Sequence, residues 1–309
     1  MSKTQPIQES ESESPSPRRG AAALRRDLVM LTKFRLSLLV ILTTMVGYLA
    51  GAAGRFEWAI ALHTLVGTSA VAFGAAIFNQ LMEIEPDSMM RRTSDRPLPA
   101  KRVPTAAAFL IGWVISAFGI LHLAGMVTPE NPQPAYLAAI TLGVYIFVYT
   151  PMKRRSSLNT LVGAVSGALP PLIGWTAAGR DYDAGALALF AILFFWQMPH
   201  FIAINWMYRE EYEKAGFVMW SNGDHDGAKS ARLCFWFSLA LAAAGLLPVF
   251  LGLASVGHAV AAAILGLVLL RFAVRFLNSR RRECARALFL FTLLYLPLIL
   301  ASLLAFWRA

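Results

Sequence analysis

The sequence contains 309 residues, of which 57% are hydrophobic and only 15% are charged, and its mean hydropathy is +0.55. Soluble domains average about 25% charged residues, so this composition excludes an ordinary soluble protein and indicates a membrane protein. The formal net charge of +10 does not indicate a nucleic-acid-binding protein, because the basic residues stand between long apolar runs and form no basic domain. The two cysteines, Cys234 and Cys284, are too few for a disulfide framework and lack metal-ligand spacing.

The chain begins with a polar head. Its first 17 residues are rich in Ser, Glu and Pro and lack hydrophobic periodicity, which is typical of disordered segments. An apolar run begins only at Leu36, so the head does not resemble a signal peptide, and its glutamates argue against a mitochondrial transit sequence. We therefore expect a disordered cytoplasmic head at residues 1–30 and a transmembrane domain at residues 31–309, placed in a bacterial inner membrane.

Long apolar runs fill the rest of the chain. A helix that spans a bilayer needs about 20 mostly apolar residues. Nine stretches meet this requirement or nearly so: 36–53, 58–82, 105–127, 135–150, 158–178, 185–208, 231–254, 257–277 and 285–307. The glycines of the fifth stretch and its Pro170-Pro171 pair predict a broken, closely packed helix. The sequence thus predicts an all-α polytopic membrane protein, a bundle of nine transmembrane helices.

The basic residues predict the orientation of this bundle. Twenty-five of the 28 Lys and Arg fall in the head and in the connections after the second, fourth, sixth and eighth helices. The three others are Arg55, Arg180 and Arg308. Because basic residues concentrate on the cytoplasmic side, the N-terminus is expected inside, with the active-site loops in the cytoplasm.

Half of the acidic residues also lie in two of the cytoplasmic connections. The segments 83–95 and 210–226 hold nine of the 18 carboxylates. In the first, Asn79, Glu83 and Asp87 are spaced four residues apart, so a helix would turn all three to one face. Such oxygen ligands suit Mg²⁺, which proteins often share with phosphates. Pro86 predicts that the helix kinks or ends there, with Asp87 already in a loop.

Basic side chains accompany this acidic row. Arg92 and Arg96 follow it, and Lys153 and Arg154 come after the fourth helix. Arginine beside a metal-binding row suits a diphosphate, which offers many acceptor oxygens. Residues 209–216, which include the start of the second acidic segment, would supply opposing metal ligands. The alternatives are ordinary solvated loops for the acids and the cytoplasmic bias alone for the basic residues.

The motifs of the chain resemble those of the UbiA-type membrane prenyltransferases. The stretch 79–98 reads Asn-x₃-Glu-x₃-Asp-x₂-Met-x-Arg-Thr-x₂-Arg-Pro-Leu and is similar to the first signature of that family. Its tail resembles the protoheme IX farnesyltransferase branch. Three further segments agree with that branch: Tyr149-Thr150 with Lys153, Arg154 and Asn159; the run 167–174 with Trp175; and the run 196–201 leading to Glu211-Tyr212 and Ala215-Gly216. The resemblance spans roughly residues 32–216.

This resemblance implies a chemistry. Farnesyl diphosphate would bind at the cytoplasmic face with its chain among apolar helices, and heme b would accept the farnesyl group through a vinyl carbon to give heme O. The implied Mg²⁺ ligands are Asn79, Glu83, Asp87 and Glu211, and the implied diphosphate-binding residues are Arg92, Arg96, Lys153 and Arg154. Besides the two substrates and the lipid bilayer, the implied partners are heme A synthase or assembly factors of a terminal oxidase.

The chain departs from the pattern of this family at four places. Glu83 and Glu211 stand where the family usually has Asp, Pro86 is unusual within the first motif, and the run 217–220 replaces a Pro-containing run. Glutamate keeps the charge but adds a methylene group, which shifts a bound metal. These departures bear on activity rather than on fold.

His200 is the most informative single residue outside these motifs. It stands in the inner half of the sixth predicted helix, directly after Pro199. Ionisable residues within a membrane are functional candidates, so His200 is a candidate ligand of heme iron. The alternative is a packing histidine that hydrogen-bonds across the bundle, for example to Asn205 or Gln197.

Two other functions are compatible with parts of this pattern. The same fold could prenylate a quinone precursor or another tetrapyrrole, although the runs 170–175 and 196–200 favour heme b. A transporter or heme-binding membrane protein is the alternative from another class. Transporters usually bind their substrates near the middle of the bilayer between broken, repeated helices. The carboxylates of this chain cluster at one face, which favours the enzyme.

Overall fold

A computed structural model describes residues 20–127 and 130–308. Nine helical spans within these residues are long and apolar enough to cross a membrane, which confirms the predicted all-α class and the predicted spans to within a few residues. The helices are α1 Ala21–Leu31, α2 Phe34–Ala52, α3 Trp58–Met82, α4 Ile84–Met89, α5 Thr105–Met126, α6 Gln133–Gly143, α7 Thr150–Met152, α8 Asn159–Ala168, α9 Pro170–Ala177, α10 Ala184–Met207, α11 Arg209–Lys214, α12 Ala228–Phe250, α13 Val256–Ser279 and α14 Arg282–Ala305.

The spanning helices pack in chain order around a buried centre. Helix α2 packs against α3 and α9, α3 packs against α5, and α10 packs against α8, α12 and α14. Helix α14 also contacts α2, so the last span returns to the first. The fifth span, formed by α8 and α9, is the most deeply buried of the nine.

The fifth span is broken at Leu169, as its Pro and Gly content predicted. Its second half, α9, lies very close to α2. A Cβ added to Gly174 would overlap the backbone of Thr44, and one added to Gly47 would overlap the backbone of Pro171. Small residues allow membrane helices to approach this closely, and close approach maximises van der Waals contact between them.

The fourth span contains a π-helical segment, Val144–Tyr149, between α6 and α7. A π-helical turn widens the helix and rotates the residues that follow it, and such turns are frequent at functional sites. The Thr150 hydroxyl donates a hydrogen bond to the Tyr145 carbonyl oxygen at 2.8 Å. This segment ends beside the first acidic row.

Helix α1 precedes the first span. The prediction of a disordered head through residue 30 is wrong for residues 21–30, which belong to α1; the part before residue 20 lies outside the described residues. Asp27 is buried and accepts a hydrogen bond from Arg102 at 2.9 Å. Arg102 and Arg26 also pair with Asp95. Leu31 is buried as well, so α1 is held against the connection between α4 and α5 by ion pairs and apolar contact.

Candidate active site

The first acidic row lies where α3 gives way to α4. Glu83 breaks the helix with φ −110° and ψ 17°. The prediction that Pro86 causes the break and leaves Asp87 in a loop is wrong. Pro86 is the third residue of α4, where its missing N–H is harmless because the first N–H groups of a helix have no intrahelical partner. Asp87 is therefore helical and buried.

Asn79 is fully buried at the inner end of α3. Its amide nitrogen donates to the hydroxyl of Thr150 at 3.2 Å. Its side-chain oxygen accepts a hydrogen bond from Lys33 Nζ. Asn79 is thus held between the start of the first span and the end of the fourth.

Glu83 forms a buried ion pair with Lys153. Lys153 Nζ lies 2.7 Å from a carboxylate oxygen of Glu83, and the two side chains are 13% and 7% exposed. Burial acts to raise the pKa of Glu83, but Lys153 and Lys33 outweigh it and hold that pKa below its usual value. Burial acts to lower the pKa of Lys153, and Glu83 outweighs it, so that pKa is raised. Both groups are therefore charged at neutral pH.

Lys153 also contacts aromatic rings. Its Nζ lies 4.6 Å from the centroid of Tyr149 and 5.8 Å from that of Phe217. Cations are attracted to aromatic faces. These contacts hold the amine between the π-helical segment and the second acidic segment.

Asp87 pairs with Arg96. The two side chains are joined by an ion pair between Arg96 Nη1 and Asp87 Oδ2. The backbone oxygen of Asp87 accepts a hydrogen bond from the Thr93 hydroxyl at 2.8 Å, which fixes the turn that returns Arg96 to the acid. Burial raises the pKa of Asp87 although Arg96 acts in the opposite direction.

Lys33 completes the site and was missed by sequence reasoning, which counted it only among the basic residues of the head. It connects α1 to α2 in the left-handed region, with φ 47°. Burial and the neighbouring Arg96 lower its pKa to about 7. A non-glycine residue in this conformation is uncommon, and strain of this kind clusters at functional sites. Its position three residues before the first apolar run was the sequence feature that could have identified it.

The oxygen atoms of this row fit a hard cation. Asn79, Glu83 and Asp87 present one amide and two carboxylate groups, and Mg²⁺ is commonly held by one or two carboxylates plus substrate phosphates and water. Each of the three groups is also held by a cation of the chain: Lys33, Lys153 and Arg96. Within residues 20–127 and 130–308, no three His, Cys, Asp or Glu side chains come together as a ready-made metal cage. The arrangement suits a metal that arrives with a phosphate-bearing ligand.

The second acidic segment packs against the first through apolar and backbone contacts. Met90, after the first row, is buried with Phe217 in one cluster. The Val218 N–H donates to the Lys153 carbonyl oxygen at 2.7 Å, and the Asn159 side chain donates to the Val218 carbonyl oxygen at 2.7 Å. Lys153, which pairs with Glu83, therefore also fixes the irregular run after α11.

Two predicted site residues, both arginines, lie at the edge of this cluster. Arg92 donates to the Tyr212 hydroxyl at 3.2 Å and lies 5.9 Å from the ring centroid of Tyr208. Arg154 forms an exposed ion pair with Glu85 at 3.2 Å.

Glu211 stands on α11, is half-buried, and its carboxylate has no ion pair in the described part of the chain. The structure thus joins Asn79, Glu83, Asp87, Arg96 and Lys153 into one cluster, and places Arg92 in contact with the opposing segment, which carries Glu211.

His200 lies deeper in the bundle, about 10 Å along α10 from its end at Met207. Its Nδ1 is 2.8 Å from the Thr292 hydroxyl of α14, and its ring stacks on Trp196 with centroids 5.1 Å apart. The expected alternative partners Asn205 and Gln197 are engaged elsewhere: Asn205 with Met219, and Gln197 with backbone carbonyl groups. The observed hydrogen bond occupies Nδ1 and leaves Nε2 as the nitrogen that could meet a ligand.

Sequence comparisons identify relatives over most of the chain. The UbiA prenyltransferase family model matches residues 40–295. A protoheme IX farnesyltransferase of Opitutus terrae is 42% identical over 280 residues, which cover 90% of this chain and 93% of that protein. A protoheme IX farnesyltransferase of an Anaeromyxobacter species is 44% identical over 283 residues, which cover 90% of this chain and 92% of the relative.

Solved structures share the fold at low sequence identity. A digeranylgeranylglyceryl phosphate synthase has a TM-score of 0.76 at 14% identity, covering 91% of this chain and 97% of that one. A UbiA homolog from Archaeoglobus fulgidus bound to GPP and Mg²⁺ has a TM-score of 0.65 at 15% identity, covering 90% of this chain and 99% of that one. These likenesses extend to the whole bundle.

Proposed function

The chain belongs to the UbiA prenyltransferase family, and we propose that it transfers a farnesyl group from farnesyl diphosphate to a vinyl group of heme b, which yields heme O. The names and the similarity of the relatives support this reaction. The structural observation that carries the proposal is the buried row in which Asn79, Glu83 and Asp87 are each paired with a cation. Such a site provides oxygen ligands for a metal ion and positive charges for a diphosphate.

The residues of the site would act on the leaving group. The bond between C1 of the farnesyl chain and the diphosphate oxygen breaks, and its electron pair leaves with the diphosphate. Lys153 and Arg96, released from Glu83 and Asp87, would move their charge onto the diphosphate oxygens. Preorganised charges of this kind stabilise the negative charge that develops in the transition state. Arg92 and Arg154 would add donors from the edge of the site.

Asn79, Glu83, Asp87 and Glu211 would hold Mg²⁺ in the loaded enzyme. When bound, the metal would supply positive charge that neutralises the leaving diphosphate. Glu83 and Asp87 would become free to hold it once Lys153 and Arg96 turn to the substrate. A crystallised UbiA homolog holds Mg²⁺ together with a prenyl diphosphate, which supports this assignment.

The acceptor side of the reaction lies in the apolar bundle. The vinyl π electrons of heme b attack C1 of the farnesyl cation, and water then adds to the new cation and loses a proton, which gives the hydroxyethylfarnesyl group. Apolar surroundings protect the first cation from water. We propose that His200 ligates the heme iron through Nε2, because Thr292 already fixes Nδ1. Replacement of His200 by Ala should then change the spectrum of bound heme; an unchanged spectrum contradicts this ligation.

The placement of the enzyme follows from its charges. We propose that the N-terminus and the active site face the cytoplasm of a bacterial inner membrane, since 25 of the 28 Lys and Arg fall in the head and in the connections after the second, fourth, sixth and eighth spans. Residues 31–309 form the prenyltransferase domain, preceded by a cytoplasmic head. Heme A synthase or oxidase assembly factors would receive the product.

Heme analysis in living cells tests the function. Cells that lack their own heme O synthase would carry the unmodified chain, the Asp87→Ala variant or the Asp226→Ala variant. Asp226 is an exposed acid of the same end of the bundle, so it controls for loss of charge alone. Mass spectrometry should detect heme O with the unmodified chain and with Asp226→Ala, and none with Asp87→Ala. Absence of heme O with the unmodified chain contradicts the proposal.

A further inference from the structure

The hairpin of α13 and α14 carries a dense group of arginines that the reaction does not use. Arg271 and Arg275 lie near the end of α13, and Arg282 and Arg286 lie at the start of α14; together they are called the arginine cluster. All four side chains are exposed. In the described part of the chain, the guanidinium groups of Arg271, Arg275 and Arg286 make no ion pair or hydrogen bond with protein. The cluster is a concentrated positive surface without acidic partners.

The arginines continue into apolar faces that point away from the protein. On α14, Arg282 and Arg286 are followed at the same four-residue spacing by Leu290 and Leu294, whose side chains are 50% and 53% exposed. Residues spaced by four share one face of a helix. This face of α14 therefore changes from charged to apolar along the helix.

Helix α13 repeats this arrangement in the opposite direction. Leu267, at 68% exposure, precedes Arg271 and Arg275 at four-residue spacing, and Ile264 beside it is 57% exposed. Helices α13 and α14 pack against each other. The two charged ends therefore lie together at the turn, and the two apolar faces extend from them along the bundle.

The depth of Arg271 calls for an anionic partner. Arg271 stands eight residues before Ser279, the last residue of α13, which is about 12 Å along the helix. A charged side chain at this depth on a lipid-facing surface is costly unless its head reaches the interface or meets an opposite charge. The described protein residues supply no such charge. The phosphate of an anionic lipid would supply one.

The composition of the turn distinguishes it from the other cytoplasmic connections. Residues 271–286 contain six arginines and no lysine, whereas each of the other basic connections contains at least one lysine. Lysine satisfies the cytoplasmic bias as well as arginine does, but only arginine offers a planar fork that binds phosphate through two hydrogen bonds. The exclusive use of arginine in this turn therefore favours binding of a phosphate through paired hydrogen bonds.

We propose that the arginine cluster binds the headgroup phosphate of an anionic phospholipid, whose acyl chains lie along the apolar faces of α13 and α14. Basic groups between membrane helices are suited to anionic lipid headgroups. The bound lipid belongs to the leaflet beside the active site, because Arg282 lies 5.7 Å from the same Tyr208 ring that Arg92 approaches. Arg280, within the turn, pairs with Asp226 and fixes the turn to the segment before α12.

Native mass spectrometry of the purified full chain tests this site. The protein in detergent would be titrated with phosphatidylglycerol and, separately, with phosphatidylcholine of the same chains. The expected result is at least about tenfold tighter binding of phosphatidylglycerol, and loss of that preference when all four arginines of the cluster are replaced by Gln. The matched control is the double variant Arg55→Gln/Arg308→Gln, which removes exposed arginines at the other end of the spanning helices, away from the turn between α13 and α14, and should keep the preference.

Three results would overturn the proposal. The first is a quadruple variant that still prefers phosphatidylglycerol. The second is a control variant that loses the preference equally. The third is full displacement of phosphatidylglycerol by inorganic phosphate at equal concentration, which would mean that the arginines bind a free anion rather than a lipid. If the quadruple variant is not monodisperse, Arg271→Gln/Arg275→Gln and Arg282→Gln/Arg286→Gln carry the same test separately. Because binding is measured without catalysis, its outcome is independent of the proposed reaction.

Discussion

The two acidic segments of the active site are built differently. In the first, at the joint of α3 and α4, Glu83 and Asp87 are buried and each is paired with a cation. In the second, on the short helix α11, Glu211 is half-buried and has no such partner among the described residues. The first segment therefore has its charges in place before any ligand binds, and the second does not.

The segments also differ in what holds them. Buried ion pairs fix the first segment, and their loss would leave uncompensated charge. The second is held by the apolar contact of Met90 with Phe217 and by the hydrogen bonds of Val218 to Lys153 and Asn159. We infer that the first segment sets the electrostatics of the site, and that the second adds its carboxylate when substrate and metal arrive.

The largest expected effect follows from removing an acid of the first segment. Asp87→Asn should lower kcat/KM for farnesyl diphosphate about 10³-fold, because it removes a proposed metal ligand and leaves Arg96 paired with a neutral amide. Glu211→Gln should lower it less, about 10²-fold, because the preformed row remains. Steady-state assays in detergent measure both values.

The control for this pair is Glu210→Gln. Glu210 is the neighbour of Glu211, and its side chain is 75% exposed, so kcat/KM should remain within about twofold of the unmodified value. A larger loss with Glu211→Gln than with Asp87→Asn would contradict the inference that the first segment sets the electrostatics of the site.

A smaller effect, on stability, is expected from the ion pair of the first segment. Lys153→Met should destabilise the protein by about 3 kcal/mol, because it leaves the buried Glu83 carboxylate without its partner. The double variant Lys153→Met/Glu83→Gln should recover most of this loss, because no unpaired charge remains. Equilibrium unfolding in mixed micelles measures the difference. Lys214→Met, at an exposed lysine of the second segment, should leave stability unchanged; equal destabilisation by both single variants would contradict the comparison.

The sequence predicted the bundle well because apolar runs of bilayer length report directly on membrane helices. The fourth predicted stretch, 135–150, agrees with the observed span Gln133–Met152 to within two residues at each end. The break of the fifth span was also predictable, since Pro170 and Pro171 disfavour a continuous helix. The position of the break at Glu83 was not, because proline is compatible with both an ended helix and a first helical turn.

Sequence reasoning predicted only the site residues that lie close together along the chain. Spacing of four residues identified Asn79, Glu83 and Asp87, which all proved to be buried. It could not identify Lys33, whose contact with Asn79 depends on the left-handed joint before α2 and on the packing of α1. Likewise, the contact of His200 with Thr292 joins residues 92 positions apart, and its register is set by tertiary packing.

The hydrogen bonds of the second segment give the next test. Asn159→Ala removes the side-chain donor to the carbonyl oxygen of Val218, a half-buried residue, whereas the Ser156 carbonyl oxygen keeps the backbone N–H of residue 159, so the protein should lose about 1 kcal/mol of stability. Hydrogen exchange should quicken at residues 209–219 and stay unchanged at residues 79–90. Asn278→Ala, at an exposed asparagine, is the matched control. Faster exchange in both segments would mean that the two are held as one unit.

The smallest effect is expected at the edge of the first segment, where the ion pair of Arg154 with Glu85 is exposed on both sides. Surface pairs of this kind contribute little, so Arg154→Gln should change stability by less than about 0.5 kcal/mol. Its effect on KM for farnesyl diphosphate should also be well below that of Arg96→Gln, because Arg96 is paired with the buried Asp87 of the proposed metal site, whereas Arg154 must leave an exposed acid to reach the substrate. Parallel titrations with farnesyl diphosphate compare the two variants. An equal rise in KM would place Arg154 in the inner site during catalysis and would show that side-chain exposure does not rank the cations of this site.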